Sequence, residues 1–197
     1  MKYRTIVQAM LALSGVALGA AANAATPSGE MLGNTCAGCH GTDGISTGPA
    51  IPTIGGLSND YLVDAMMEYK TGERGSTIMT RIAKGYTDDE IKAMSKFFSG
   101  KPYVGNKQKV SAKMAKTGAK LHKKYCEKCH EDGGTSAEDD AGVLAGQWRP
   151  YLQYTMEDFH SGARTMPKKM KKKMKAMMDK HGAKGEQALL DYYAGQE

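Results

Sequence analysis

From residue 58 onward, short polar caps are followed by stretches whose apolar residues recur every three or four positions. Tyr61, Leu62, Ala65, Met66 and Tyr69 share one helical face, with Ser58 or Asn59 placed to cap the start and Gly72 just past the end. Thr87-Asp88-Asp89-Glu90 is a capping-box string, and Ile91, Met94, Phe97 and Phe98 follow it at helical spacing until Gly100 and Pro102. In the second half Tyr151, Leu152, Thr155, Met156 and Phe159 repeat the first pattern, while Leu189, Leu190 and Tyr193 repeat the second. No stretch alternates with the two-residue period of a strand. The predicted fold class is all-α.

These patterns belong to an internal repeat. Cys36-Ala37-Gly38-Cys39-His40 returns 90 residues later as Cys126-Glu127-Lys128-Cys129-His130. The same offset aligns Tyr61-Leu62 with Tyr151-Leu152, Met66 with Met156, Tyr69 with Phe159, Gly72 with Gly162 and Arg74 with Arg164. By the last helix the offset has grown to 95, so that residues 97–100 match 192–195. Two related domains in tandem are expected, residues 25–105 and 106–197, with the boundary near 101–112. A chain of 197 residues suffices for two such units, since domains commonly run to about 100–150 residues.

Ahead of the repeat, Lys2 and Arg4 precede an uncharged run from Ile6 to Ala20, and Ala22-Asn23-Ala24 forms a small-x-small site. This is the pattern of a cleaved secretory signal peptide over residues 1–24, and it points to the periplasm. An uncleaved anchor is the rival reading, although the apolar core is short for a membrane span. After cleavage no membrane span is expected.

The two copies of Cys-x-x-Cys-His carry the chemistry. Two thiols at this spacing can add to the vinyl groups of one haem while the adjacent His reaches its iron, so each copy reads as a c-type haem attachment site. A zinc ribbon would place its Cys pairs roughly 15–20 residues apart, and a thioredoxin-like pair would need a βαβ setting. Two disulfides are the third rival in an oxidising compartment. The expectation is two covalent haems, one held by Cys36, Cys39 and His40, the other by Cys126, Cys129 and His130.

Each iron needs a sixth ligand. Met79 lies on the loop after Gly72 and before the final helix of its repeat, and Met166 occupies the corresponding loop just before Pro167. These two are the expected distal ligands, with thioether–haem chemistry. Met66, Met67 and Met94 sit on amphipathic helices, and Met170, Met174, Met177 and Met178 form a helical stripe, so packing is their expected work. Met31 lies just upstream of the first motif. His/Met coordination leaves no open site and suits electron transfer, for which neither domain needs an acid, base or nucleophile. The remaining histidines, His122, His160 and His181, are expected at the surface.

Charge separates the halves. Residues 25–105 carry a net −2 and residues 106–197 a net +6, with eight lysines between Lys168 and Lys184. A solvated face over the Met stripe and a docking patch for acidic redox partners are both compatible with that run. Nucleic acid is not an expected partner of an exported haem protein. Gly48-Pro49 follows the first motif, where a Pro carbonyl could accept a hydrogen bond from His40; the equivalent stretch after His130, Glu138-Asp139-Asp140, holds no Pro.

The strings CAGCHGT at 36–42, STIM-x-RIAKGY at 76–86, TGAKLH-x-KYCEKCH at 117–130 and LAGQW-x-PYLQY at 144–154 resemble the dihaem cytochrome subunit of flavocytochrome c sulfide dehydrogenase. The resemblance covers essentially the whole chain after the leader, although the lysine-and-methionine segment from Lys168 to Lys175 exceeds the family pattern. It implies two cytochrome-c-like domains related by a pseudo-twofold axis. It also implies a separate periplasmic flavoprotein subunit carrying covalent FAD, which oxidises sulfide, and a small soluble electron acceptor such as a cytochrome c. Carried over, Cys36, Cys39, His40 and Met79 serve one haem and Cys126, Cys129, His130 and Met166 the other. The chain has no dinucleotide-binding glycine fingerprint, so FAD is expected on the partner and this chain is not expected to be an enzyme on its own. A stand-alone dihaem carrier feeding a terminal oxidase or other redox enzyme is the alternative. A dihaem peroxidase, which needs one accessible iron, is a third class.

Overall fold

The computed structural model describes residues 26–137 and 141–196. The expected signal peptide and the stretch Glu138-Asp139-Asp140 lie outside the described residues. All regular structure among them is helical apart from one isolated bridge. No helix among the described residues is long and apolar enough to cross a membrane.

In the first repeat, α1 (Gly29–Asn34) and α2 (Ala37–His40) lead through a 3-10 turn (Thr42–Gly44) to α3 (Asn59–Thr71), α4 (Met79–Ala83) and α5 (Asp88–Ser99). The second repeat has α6 (Ala112–Tyr125), a 3-10 turn (Asp132–Gly134), α7 (Arg149–Ser161) and α8 (Lys168–Ala194). The predicted caps set these ends. Ser58 Oγ accepts from Tyr61 N at 3.1 Å, and Gly72 closes α3 in the left-handed conformation that a Cβ would disfavour. Thr87 and Glu90 form the reciprocal capping box, with Thr87 N donating to Glu90 Oε2 at 2.7 Å and Glu90 N to Thr87 Oγ1 at 3.3 Å. The two helical patterns expected at the C-terminus run together as α8, interrupted at Gly182, whose φ is 59°.

Packing repeats as well. Each domain crosses its first helix over its last at a glycine. A Cβ at Gly29 would run into the Ala93 carbonyl, and one at Gly118 into the Ala188 carbonyl. The larger core joins Leu121, Leu152, Met174, Met177, Leu189, Leu190 and Tyr193; the smaller joins Leu57, Leu62 and Phe98. Met174 and Met177 are thus core residues, as their stripe predicts, and the lysines around them face water.

The smaller core is completed by Val143 from the second repeat, so the domains share apolar burial. Around it lies a hydrogen-bonded seam. The side chain of buried Gln147 accepts from Thr53 N at 3.0 Å and donates to Thr53 O at 2.7 Å. Tyr103 Oη donates to Ala145 O at 2.7 Å and Trp148 Nε1 to Ser46 O at 3.3 Å. Arg74 pairs with Arg164 in an antiparallel bridge, and Gly75 N donates to Ala163 O at 3.0 Å. A residue that meets its own repeat-mate is what a pseudo-twofold axis through the seam requires.

Candidate functional site

Both Cys-x-x-Cys-His strings fold into the same tight turn. His40 N donates to Cys36 O at 2.8 Å and His130 N to Cys126 O at 3.0 Å, so each histidine follows directly on its two thiols. All four cysteines are free; Cys36 and Cys126 are half-buried, Cys39 and Cys129 exposed. Burial pushes the Cys36 and Cys126 thiols up from their usual range. Two unjoined thiols per turn suit thioether attachment. Among the described residues no three or more His, Cys, Asp or Glu gather as a metal site.

The two histidines differ in their second partner. His40 is buried, and its Nδ1 lies 2.9 Å from Pro52 O. A carbonyl can only accept, so Nδ1 carries the proton and Nε2 presents its lone pair. The acceptor is Pro52 rather than Pro49, because Ile54 N and Gly55 N tie back to Gly44 O and bring that part of the loop over the ring. His130 Nδ1 is buried with no hydrogen-bond partner among the described residues. Burial holds both imidazoles below their usual pKa, His130 at about 4, where the nearby His122 adds to the effect. Both rings are therefore neutral at physiological pH, the form that ligates a metal.

The distal methionines sit on corresponding loops. Met79 is the first residue of α4, half-buried, with its N–H donated to Ser76 Oγ at 3.1 Å. Met166 is half-buried, packs with Cys126 against the larger core, and lines a cleft of about 600 Å³ between α7 and α8. Met79 stands outside the smaller core, against which Cys36 packs. Met94 is buried and Met31 is 65% exposed.

Other parts of the site carried weaker signals in the sequence. Arg74 is only 5% exposed and stacks on Tyr69 at 4.8 Å; Arg164 stacks on Phe159, the repeat-mate of Tyr69, at 4.6 Å. Arg74 Nη2 also donates to Tyr151 Oη at 3.5 Å, and Tyr61 bonds with both guanidiniums. Burial acts to raise Tyr61, but the two cations draw it below the usual tyrosine range. Among the described residues neither guanidinium has a carboxylate partner. A seam with one buried and one half-buried guanidinium and no carboxylate among the described residues fits a prosthetic group that brings its own carboxylates, as haem does. The visible signal was an arginine returning at the repeat offset beside an aromatic.

His122 departs from expectation. It is 1% exposed, not at the surface, because Gly118 lets α6 press against α8 and turns the ring inward. His160 and His181 are exposed as expected, and His160 Nε2 lies 2.6 Å from Glu186 Oε2.

Twin Cys-x-x-Cys-His turns with free thiols, neutral imidazoles and a helical duplication define a dihaem c-type cytochrome, an electron carrier. Residues 28–100 match the family described as cytochrome c, and residues 113–192 match cytochrome c oxidase, cbb3-type, subunit III. The cytochrome c-554(548) of Halomonas halodenitrificans is 35% identical over 74 residues, 36% of this chain and 89% of that protein. The chain belongs to the cytochrome c family, and its two domains carry two covalently attached haem c groups. The cytochrome subunit of sulfide dehydrogenase from Chlorobaculum tepidum is 50% identical over 70 residues, 36% of this chain; the match spans 63% of that relative's length. The crystal structure of reduced recombinant cytochrome c4 from Pseudomonas stutzeri overlays with a TM-score of 0.72 at 24% identity, covering 88% of this chain and all of that one, and shares its fold.

Proposed function

We propose that this chain is the exported, periplasmic electron-transfer subunit of a sulfide-oxidising complex. It takes electrons from a FAD-bearing flavoprotein subunit and passes them to a small soluble acceptor such as a cytochrome c. The observation that carries the choice of partner is the 50% identity to the cytochrome subunit of sulfide dehydrogenase. Residues 1–24 act as the cleaved leader, and 25–105 and 106–197 are the two haem domains.

When bound, the two haems supply one-electron oxidation and reduction. Cys36 and Cys39 hold one haem and Cys126 and Cys129 the other, by thioethers. His40 and Met79 would ligate the iron of the first domain, and His130 and Met166 that of the second. Pro52 O fixes the His40 tautomer and increases the basicity of its Nε2. Arg74, Arg164, Tyr61 and Tyr151, which meet at the seam, would hold the haem carboxylates and keep water from them. With each iron held by a histidine and a methionine, neither domain would offer a site for peroxide, and the chain would act as a carrier rather than an enzyme on its own.

The lysines of α8 are exposed while Met174 and Met177 on the same helix are buried, so the run is both a solvated face and a positive surface. That surface lies beside Met166 and suits an acidic soluble partner.

Native purification from the periplasm with sulfide titration tests the reading. A co-eluting flavoprotein and reduction of both haems is the expected result. A dihaem protein that elutes alone and reacts with sulfide only slowly overturns it. The alternative, a stand-alone carrier feeding a terminal oxidase, is favoured by one observation, the match of residues 113–192 to a cbb3-type oxidase subunit.

A further inference from the structure

The second domain buries a set of ionisable groups where the first is apolar. His122 Nδ1 lies 2.8 Å from Tyr193 Oη, and its Nε2 lies 2.5 Å from Glu127 Oε2, off the line of a hydrogen bond. Its ring packs on Tyr192 at 5.2 Å and meets Tyr193 edge-on at 5.5 Å. At the repeat offsets the first domain holds Leu32 for His122, Ala37 for Glu127, and Phe97 and Phe98 for Tyr192 and Tyr193. Leu32 and Phe98 are buried in those places. Apolar side chains therefore satisfy the packing of this fold, and the polar set is an addition to it.

The addition reaches the haem attachment turn. The Cys126 sulfur hydrogen-bonds with Tyr193 Oη, and Cys126 N donates to His122 O at 2.8 Å. The groups that face His122 are Tyr192 and Tyr193 from α8, and Glu127 with Cys126 from the turn. His130 lies within electrostatic range, and Lys173 of α8 acts on Cys126. On its own helix, Lys123 and Lys124 are exposed. Glu127 is the one acid in this set, and its side chain is 43% exposed, so it links the buried ring to water.

We propose that His122 is a redox-linked proton-binding site, taking up one proton when the second domain takes up one electron. The proposal rests on the chain being a dihaem electron carrier. The electron comes from the one-electron donor and the proton from water by way of Glu127. No other bond forms or breaks. In the product imidazolium both nitrogens carry protons, Nδ1 facing Tyr193 Oη and Nε2 forming an ion pair with the Glu127 carboxylate. Reduction removes one positive charge from the neighbourhood and favours this cation; by linkage, protonation favours reduction of the second domain alone.

The test uses the full holoprotein, reduced by the methyl viologen radical, which delivers an electron and no proton. Proton uptake is read with an indicator dye in weak buffer, and haem potentials by spectroelectrochemistry from about pH 5 to 8, where histidine titrates. Expected are uptake of up to one proton per chain and a potential that falls with rising pH for one haem only. His122→Leu, which installs the first domain's residue, abolishes both while the Soret band and circular dichroism stay unchanged. Should that variant fail to fold, Glu127→Gln keeps the imidazole and moves the pH window downward. Uptake that persists in His122→Leu, a wild type that takes up no proton, or a window unmoved by Glu127→Gln overturns the proposal. A wild type that accepts no electron overturns the carrier reading with it.

Discussion

Arg74 pairs antiparallel with Arg164, its own counterpart 90 residues along the chain, and two guanidiniums thereby meet at the joint between the domains. Like charges brought together out of water repel, and the buried member has only tyrosine hydroxyls and rings beside it. On the proposed reading an anion would complete the joint, and the haem carboxylates would supply it.

Replacing the buried cation tests that completion. Arg74→Met is expected to destabilise the holoprotein by about 3 kcal/mol or more, since breaking a buried ion pair leaves the other charge uncompensated. Arg164→Met, at the half-buried position, is expected to cost less. Urea unfolding followed in the Soret band measures both. An unchanged midpoint for Arg74→Met means that no anion meets it.

The two haems are expected to titrate at different potentials, with the second domain higher. His40 donates to Pro52 O and becomes the more basic ligand, which stabilises ferric iron in the first domain. His130 has no such acceptor among the described residues, and its half of the chain carries the net positive charge, which disfavours the ferric state further. Domain-resolved redox titration by NMR checks the order; a lower potential in the second domain contradicts it.

Met79→Ala and Met166→Ala are each expected to open one iron. The loss of the thioether-to-iron charge-transfer band, a high-spin ferric component and a fall in that haem's potential are the readouts. A variant that keeps its band and potential shows that the ligand is another side chain.

Gly118→Val places branched carbon against the Ala188 carbonyl and Tyr192, both on the facing helix. Overpacking of this kind costs about 1–3 kcal/mol, and the midpoint of thermal unfolding reads it. Gly38→Val, where a Cβ meets nothing within 4 Å, is the control and should leave the core unaffected.

Reversing charge on α8 separates docking from tuning. Lys168→Glu with Lys172→Glu is expected to slow electron transfer to an acidic soluble acceptor severalfold at low salt, with the difference shrinking as ionic strength rises. Stopped-flow kinetics at several salt concentrations gives the comparison. A rate that responds to neither change removes the docking role.

Much of this molecule could be read in one dimension. The Ser58 cap, the Thr87–Glu90 box and Gly72 act on backbone groups within a turn of themselves, so helix ends follow from a few neighbouring residues. The haem turns are equally local, closing within five residues. The duplication shows as equal offsets. Pro52 rather than Pro49 over His40 was not legible, because the loop's path is decided by bonds from Ile54 and Gly55 back to Gly44. The burial of His122 was not legible for a similar reason. Its surroundings in sequence are lysines, and only the crossing of α6 over α8 at Gly118 turns it inward.

The sequence by itself determined the all-α class, the twofold repeat and the attachment chemistry, because caps, helical periodicity and Cys-x-x-Cys-His spacing act over short distances. The tertiary structure alone decided which carbonyl orients His40, that His130 has none among the described residues, and that Arg74 and Arg164 face each other. It also decided that a buried histidine stands beside the second attachment turn. Each of these depends on segments that meet only when helices pack, and the packing surface is set by both partners at once.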